Sequence, residues 1–216
     1  MLLVPAGSFT MGCNSTSECA GNEGPAHQVT LTNAFYMGKT EVTQAEWQAK
    51  MGSNPSYFVG QPNHPVERVS WNMIASGSTS FMSLTGLRLP TEAEWEFACR
   101  AGTTTAHYGE VNAIAWYYQN WTTYGTQPVA GKLPNALGLY DTLGNVVEWV
   151  EDWYGPYSSG PVTNPTGPAT GTYRLLRGGS WSYSAPRVSI RGGDGPDSGG
   201  PDSGADDHGF RVARNP

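Results

Sequence analysis

Arg177-Gly178-Gly179-Ser180-Trp181 and Gly209-Phe210-Arg211 bracket the segment whose reading decides the fold. Tyr173, Leu175 and Leu176 run into the first motif, and Phe210, Val212 and Ala213 follow the second in alternation, so both flanks read as strands. Between them, Ser182 to His208 has a different composition. Beyond Arg191 it is nearly all Gly, Asp, Ser and Pro, with no large apolar side chain. Such a segment cannot bury enough surface to offset the entropy of ordering it. Clamped between two strands it becomes a loop-rich surface on a scaffold, where binding residues usually sit.

The rest of the chain supplies that scaffold. A length of 216 residues fits one large domain or two small ones, and 12% aromatic residues with eight Trp provide material for a core. Abundant Gly and Pro predict short elements and many turns. The net charge is −6 and the Lys and Arg are scattered, which argues against a nucleic-acid partner. No apolar run is long enough for a transmembrane helix. Met1-Leu2-Leu3-Val4-Pro5 is too short for a signal peptide and reads as a strand, so any export signal is expected outside this sequence. Cys99 falls in a predicted helix as a small buried hydrophobe. Cys13 and Cys19 share a polar loop, where a disulfide and two free thiols both remain open.

In chain order, residues 1–12 read as a hairpin turning at Ala6-Gly7. Strands are predicted at His27–Leu31 and Phe35–Met37. Thr43-Gln44-Ala45-Glu46 is a capping box that opens a helix through Trp47 and Met51, stopped by Gly52. Ser70 caps a second helix running to Gly86, although Ser76 to Ser80 is poor helix material. Thr91 and Glu94 form another capping box, and its helix carries Trp95, Ala98 and Cys99 on one side with Glu92 and Glu96 on another. Residues 101–137 read as loop, with aromatic residues from Trp116 to Tyr124 acting as core or rim packing, and residues 146–150 as a strand. His27, His64, His107 and His208 are isolated and show no ligand spacing. Asn14-Ser15-Thr16 and Asn120-Trp121-Thr122 match the glycosylation acceptor pattern, which means little without a eukaryotic secretory context.

Several motifs occur in a telling order. They are Gly7-Ser8-Phe9-Thr10-Met11-Gly12, Lys39-Thr40-Glu41-Val42-Thr43, Pro65-Val66-Glu67-Arg68-Val69-Ser70-Trp71, Arg88 to Glu96, Gly144-Asn145-Val146-Val147-Glu148-Trp149 and the two bracketing motifs. Together they resemble the formylglycine-generating-enzyme (sulfatase-modifying factor) type of C-type lectin fold. The resemblance covers essentially the whole chain and implies one α+β domain over residues 1–216. Short helices would pack on small, twisted antiparallel sheets, with much irregular structure and the terminal strands brought together. It does not fix a function, because that fold carries enzymes, inactive homologues and binding proteins.

The oxidases of this family carry a copper-binding cysteine pair after the Gly-Gly-Ser-Trp-like motif. Here Ser182 to Arg191 contains no cysteine, and none follows Cys99, so the resemblance implies no redox cofactor and no oxidase activity. The iron-dependent sulfoxide synthases draw ligands from an added helical domain with clustered His, which this chain lacks. A second subgroup, the variable proteins of diversity-generating retroelements, is similar in another respect. There, template adenines are randomised and Asn codons become other residues. No Asn occurs from Ser182 to Arg214, as expected of one rewritten copy, although a drifted Gly/Asp linker has the same look.

That resemblance implies a non-catalytic receptor or adhesion-type protein with a variable region of about 181–208. Its expected ligand-facing residues are Ser182, Tyr183, Ser184, Ser189, Gly193, Asp194, Ser203, Ala205, Asp206, Asp207 and His208. Arg177, Trp181, Arg191, Phe210 and Arg211 would be fixed framework. Five Asp and no Lys or Arg lie between Gly192 and His208, so a protein partner with a basic patch is expected. With Tyr183 as the one aromatic anchor, binding by this copy should be weak. The resemblance also implies a cell-surface, secreted or virion-associated location. Finally, it implies a structural calcium held by the side chains of Asp141 and Glu148 and the carbonyls of Gly144 and Val146; the alternative is a turn at Gly144-Asn145 with Glu148 in an ion pair.

Overall fold

A computed structural model describes residues 1–13, 24–183 and 200–216. Nine strands and five helices occur among these residues: β1 (Leu2–Val4), β2 (Gly7–Met11), β3 (His27–Leu31), β4 (Phe35–Met37), α1 (Gln44–Met51), α2 (Trp71–Ala75), α3 (Phe81–Thr85), α4 (Glu92–Arg100), α5 (Val111–Ile114), β5 (Val147–Trp153), β6 (Val162–Thr163), β7 (Arg174–Arg177), β8 (His208–Phe210) and β9 (Ala213–Arg214). They form three small sheets, ordered β1-β4-β9, β2-β3-β6 and β7-β5-β8. The α+β expectation holds, and the first sheet brings the N- and C-terminal strands together through β4.

The third sheet positions the site. Its central strand, β5, runs antiparallel to β7 with Glu148 opposite Arg177, and parallel to β8 with Val147 opposite His208. The chain therefore leaves β7 and enters β8 at the same end of β5. Both ends of the Ser182–His208 segment are pinned to one edge of the molecule. Along β5, Val147 and Trp149 enter one buried cluster with Trp47, Phe81 and Phe210, while Val150 enters another with Val29, Phe35 and Leu143. A strand covered on both faces reads as continuous apolar sequence, which Val146 to Val150 nearly is.

Both capping boxes form as the sequence predicts, with Thr43 and Thr91 accepting from the amides of Glu46 and Glu94. Gly52 closes α1 in the left-handed region. Four expectations need correction. Residues 1–12 are not a hairpin: β1 pairs with β4 and β2 with β3, so the turn at Ala6 passes the chain between sheets. The Ser70–Gly86 helix is two helices, because Ser80 accepts from the Ser83 amide and caps its own. The 101–137 stretch contains the short helix α5. Two of the three sheets are mixed rather than antiparallel, since β3–β6 and β5–β8 are parallel, while β1-β4-β9 is antiparallel as expected. Cys99 is buried with a free thiol, and Cys13 is disulfide-bonded. Cys19 lies outside the described residues.

Candidate functional site

Beneath the bracketed segment lie two buried ion pairs. Arg211, from the closing motif, donates Nε to Glu148 Oε2 at 2.6 Å and Nη2 to Glu148 Oε1 at 2.5 Å. Trp95 Nε1 donates to the same Oε2 at 2.6 Å. Arg177, from the opening motif, donates Nη2 to Glu96 Oε2 at 2.8 Å and stacks on the Trp95 ring. All four charged side chains are buried. Burial disfavours both guanidinium charges, yet Tyr157, Glu96 and Glu92 around Arg177 and Glu148 beside Arg211 hold both groups above their ordinary values. The two motifs that bracket the segment thus converge on a common floor. Glu92 and Glu96, which helical periodicity places away from the apolar side of α4, are buried too. The missing signal was Arg177, a cation from a distant strand that meets them.

Gly144 and Asn145 hold the next layer. Gly144 has φ +77°, and a Cβ there would lie 2.1 Å from the Trp116 carbonyl oxygen, so only glycine fits. Asn145, also at positive φ (60°), is a hub: its Oδ1 accepts from Gln127 N, its Nδ2 donates to Glu41 Oε2, and its carbonyl accepts from Trp181 N. Sequence reasoning read this Asn only as a bend. Its side-chain amide ties it to Gln127 and Glu41, and its main-chain carbonyl holds Trp181 beyond the end of β7.

The calcium expectation meets this arrangement directly. Calcium takes six to eight oxygen ligands. Both Glu148 oxygens are occupied by Arg211 and Trp95, and Asp141 Oδ2 accepts from Ala130 N at 2.6 Å. The guanidinium of Arg211 already answers the Glu148 charge that a calcium ion would otherwise neutralise. Asp141, Gly144, Val146 and Glu148 do not fit calcium, and the turn with Glu148 in an ion pair describes them. Among the described residues no group of three or more His, Cys, Asp or Glu is arranged to hold a metal.

Burial pushes the Asp141 carboxyl up to about 6, against the pull of Ala130 N and Arg211. The folded state therefore keeps a proton that the unfolded chain releases near pH 4. Stability from this group is complete below that pH and is lost as pH rises through about 6. Asp141→Asn, whose amide oxygen can still accept from Ala130, should remove this decline, which is on the order of 2 kcal/mol. Urea denaturation of both proteins at pH 4 and pH 7 checks it.

Over this floor, the described part of the segment is attached mainly by its backbone. Arg68 N donates to Ala205 O at 2.9 Å, Asn72 N to Pro201 O at 3.0 Å, Val147 N to Asp207 O at 2.8 Å and Tyr118 N to Tyr183 O at 2.9 Å. These bonds do not depend on which side chain the segment carries. Ser182 is exposed, and Ser203, Ala205, Asp206 and Asp207 are partly exposed. Some side chains are engaged locally: Asp207 Oδ2 accepts from the Ser180 and Ser182 hydroxyls, and Asp202 accepts from Asn72. Tyr183 is partly buried against the Trp149 cluster rather than free-standing.

His208 is corrected. It is 6% exposed, a β8 residue edge-on to the Trp149 ring, and so belongs to the frame instead of the ligand-facing set. Parallel pairing with β5 draws it inward. Ser184, Ser189, Gly193, Asp194 and Arg191 lie outside the described residues. Of the framework residues, Arg177, Trp181, Phe210 and Arg211 are buried as expected.

An aromatic rim borders the surface. Trp181 meets Phe58 and Tyr124 edge-on at 5.5 and 5.0 Å, and Trp121 meets Tyr124 and Tyr118 at 5.7 and 6.4 Å. Tyr118 and Tyr124 are 58% and 62% exposed. The expected packing of this cluster is seen, with two of its rings open to solvent. Asn120 uses both amide atoms internally, bonding Tyr117 N and Ala115 O, which leaves its side chain engaged at the predicted acceptor position.

Three small sheets with short helices, closed by buried Arg–Glu pairs, define the class as a mixed helix-and-sheet domain of the C-type lectin-like kind. The chain belongs to the sulfatase-modifying factor enzyme 1-like domain family, whose model matches residues 1–216. It is 38% identical over 197 residues to the formylglycine-generating enzyme of Streptomyces coelicolor, covering 81% of this chain and 60% of that enzyme. The fold is similar to that of Treponema denticola variable protein 1, with a TM-score of 0.83 and 32% identity over 100% of this chain and 95% of that one. It is also similar to PvdO from Pseudomonas aeruginosa, with a TM-score of 0.85 and 27% identity over 99% and 93%.

Proposed function

We propose that this chain is a non-catalytic ligand-binding protein whose C-terminal segment is rewritten by a retroelement and displayed on a fixed frame. The main-chain attachment of residues 200–207 carries the reading. A surface held through Ala205 O, Pro201 O and Asp207 O tolerates changed side chains, which is what a diversified surface requires. Likeness to the Treponema variable protein across both chains supports the same class. The partner is a protein with a basic patch, drawn by the Asp-rich segment, and an exterior location follows from such a role. No helix among the described residues is long and apolar enough to cross a membrane.

Identity to the Streptomyces enzyme favours a second reading, an oxidase. The chain spans 60% of that enzyme's length, so activity does not transfer with the match. No cysteine follows Cys99, and burial pushes the Cys99 thiol up to about 11, which suits neither a metal thiolate nor a nucleophile.

Cytochrome c serves as a generic cationic probe. Weak association, at about micromolar dissociation constant or weaker, should fade as ionic strength rises to about 0.15 M. Changing Ser182, Tyr183, Ser203, Ala205 and Asp206 together should abolish or redirect it. Association that survives those changes, or oxidation of a cysteine-containing peptide with added copper, would overturn the reading.

A further inference from the structure

At the opposite end of β5 from the variable surface, a cavity of about 400 Å³ opens beneath the 155–168 loop. Its walls include Met11, Trp153, Tyr157 and Val162; Glu92, Asp152 and His27, whose ring lies against Tyr157, line it as well. Asp152 is only 3% exposed. Its Oδ2 accepts from Glu92 N at 2.7 Å, while its Oδ1 accepts no hydrogen bond among the described residues. No ion pair there reaches Asp152. Arg177 is committed to Glu96 at 2.8 Å and stands 4.0 Å from Glu92. Arg174 is sandwiched between the Trp71 and Trp153 rings, 3.6 Å from each centroid.

This buried carboxylate, with one oxygen open to a partly apolar cavity, has no ion pair among the described residues, and Arg174 acts on it only at longer range. Burial and the Glu92 charge push its carboxyl up to about 8, in keeping with that lack. Helix capping accounts for Oδ2 and leaves Oδ1 unexplained. Absence of a grouped set of metal ligands among the described residues points to an organic cation instead of a metal.

We propose that this cavity binds an alkylammonium group, its charge on Asp152 Oδ1 and its carbon chain against Met11, Tyr157 and Val162. A buried charge-assisted hydrogen bond supplies specificity, and the apolar walls supply contact area. The site is independent of the variable surface, so failure of one leaves the other standing.

Calorimetric titration with n-pentylamine at about pH 9, where Asp152 is ionised and the amine still carries its proton, tests it, with 1-pentanol as the uncharged isostere. The amine should bind and the alcohol should bind at least about tenfold more weakly. Asp152→Asn keeps an oxygen for Glu92 N but loses the charge, and should weaken amine binding about tenfold or more. Val162→Trp, which adds bulk at the cavity wall and leaves both carboxylates in the sequence, should block it. Nα-acetyl-lysine methylamide separates the two sources of the group: tighter binding of the free amine assigns a small molecule, and equal or tighter binding of the lysine derivative assigns a partner's side chain. Circular dichroism confirms that each variant is folded. No binding by either compound, equal binding of amine and alcohol, or undiminished binding by folded Asp152→Asn would overturn the assignment.

Discussion

Glu148→Ala is expected to lower the unfolding free energy by about 3–5 kcal/mol, enough to unfold much of a marginally stable domain. The substitution leaves Arg211 buried with its Nε and one Nη2 bond unanswered, and takes the acceptor from Trp95 Nε1. Remaining bonds from Arg211 to the carbonyls of Gly38 and Tyr140 cannot neutralise the charge. Replacing both partners by apolar residues, as in Glu148→Leu with Arg211→Met, should recover part of the loss, because the unpaired charge goes with it. Urea denaturation at pH 7 measures both. A loss under about 1 kcal/mol for Glu148→Ala would mean that the ion pair is not the floor described above.

Gly144→Ala is expected to cost about 3 kcal/mol or more. Two effects combine there, and a second glycine separates them. Gly52 has φ +76°, almost the same as the +77° of Gly144, but nothing lies within 4 Å of its missing Cβ. Gly52→Ala should therefore cost only the left-handed backbone strain, about 1 kcal/mol. At Gly144 the added carbon would stand 2.1 Å from Trp116 O and 2.9 Å from Trp116 C and N. These are backbone atoms, fixed by Asn145 N donating to Trp116 O, so they cannot swing away. Equal midpoint shifts for the two variants would show that the loop yields at Trp116.

Local signals in the sequence carried far. Strands β3 and β4, both capping boxes and the Gly52 stop are set by periodicity and caps, which act within a few residues. What failed depended on distant partners. β1 and β2 looked like a hairpin because a short apolar run cannot say which sheet it joins. The burial of Glu92 and Glu96 was not legible because Arg177, which meets them, is far along the chain. Glu148 looked like a metal ligand because a lone carboxylate after a Gly-Asn turn suits an ion as well as an arginine, and only the fold brings Arg211 to it. His208 looked variable because its parallel pairing with Val147 has no local signature. The main-chain tethering of residues 200–207 was not legible, since backbone contacts leave no mark on residue type.

Stability of a surface-exchanged chain tests the central claim most directly. Ser182, Asp202, Ser203, Ala205 and Asp206 are replaced together by unrelated polar residues, and the urea midpoint is compared with that of the parent. A frame closed by Arg177, Glu148 and Arg211 beneath a main-chain-tethered loop predicts a change under about 1 kcal/mol. A loss as large as that of Glu148→Ala would contradict it, because the display surface would then be part of the core.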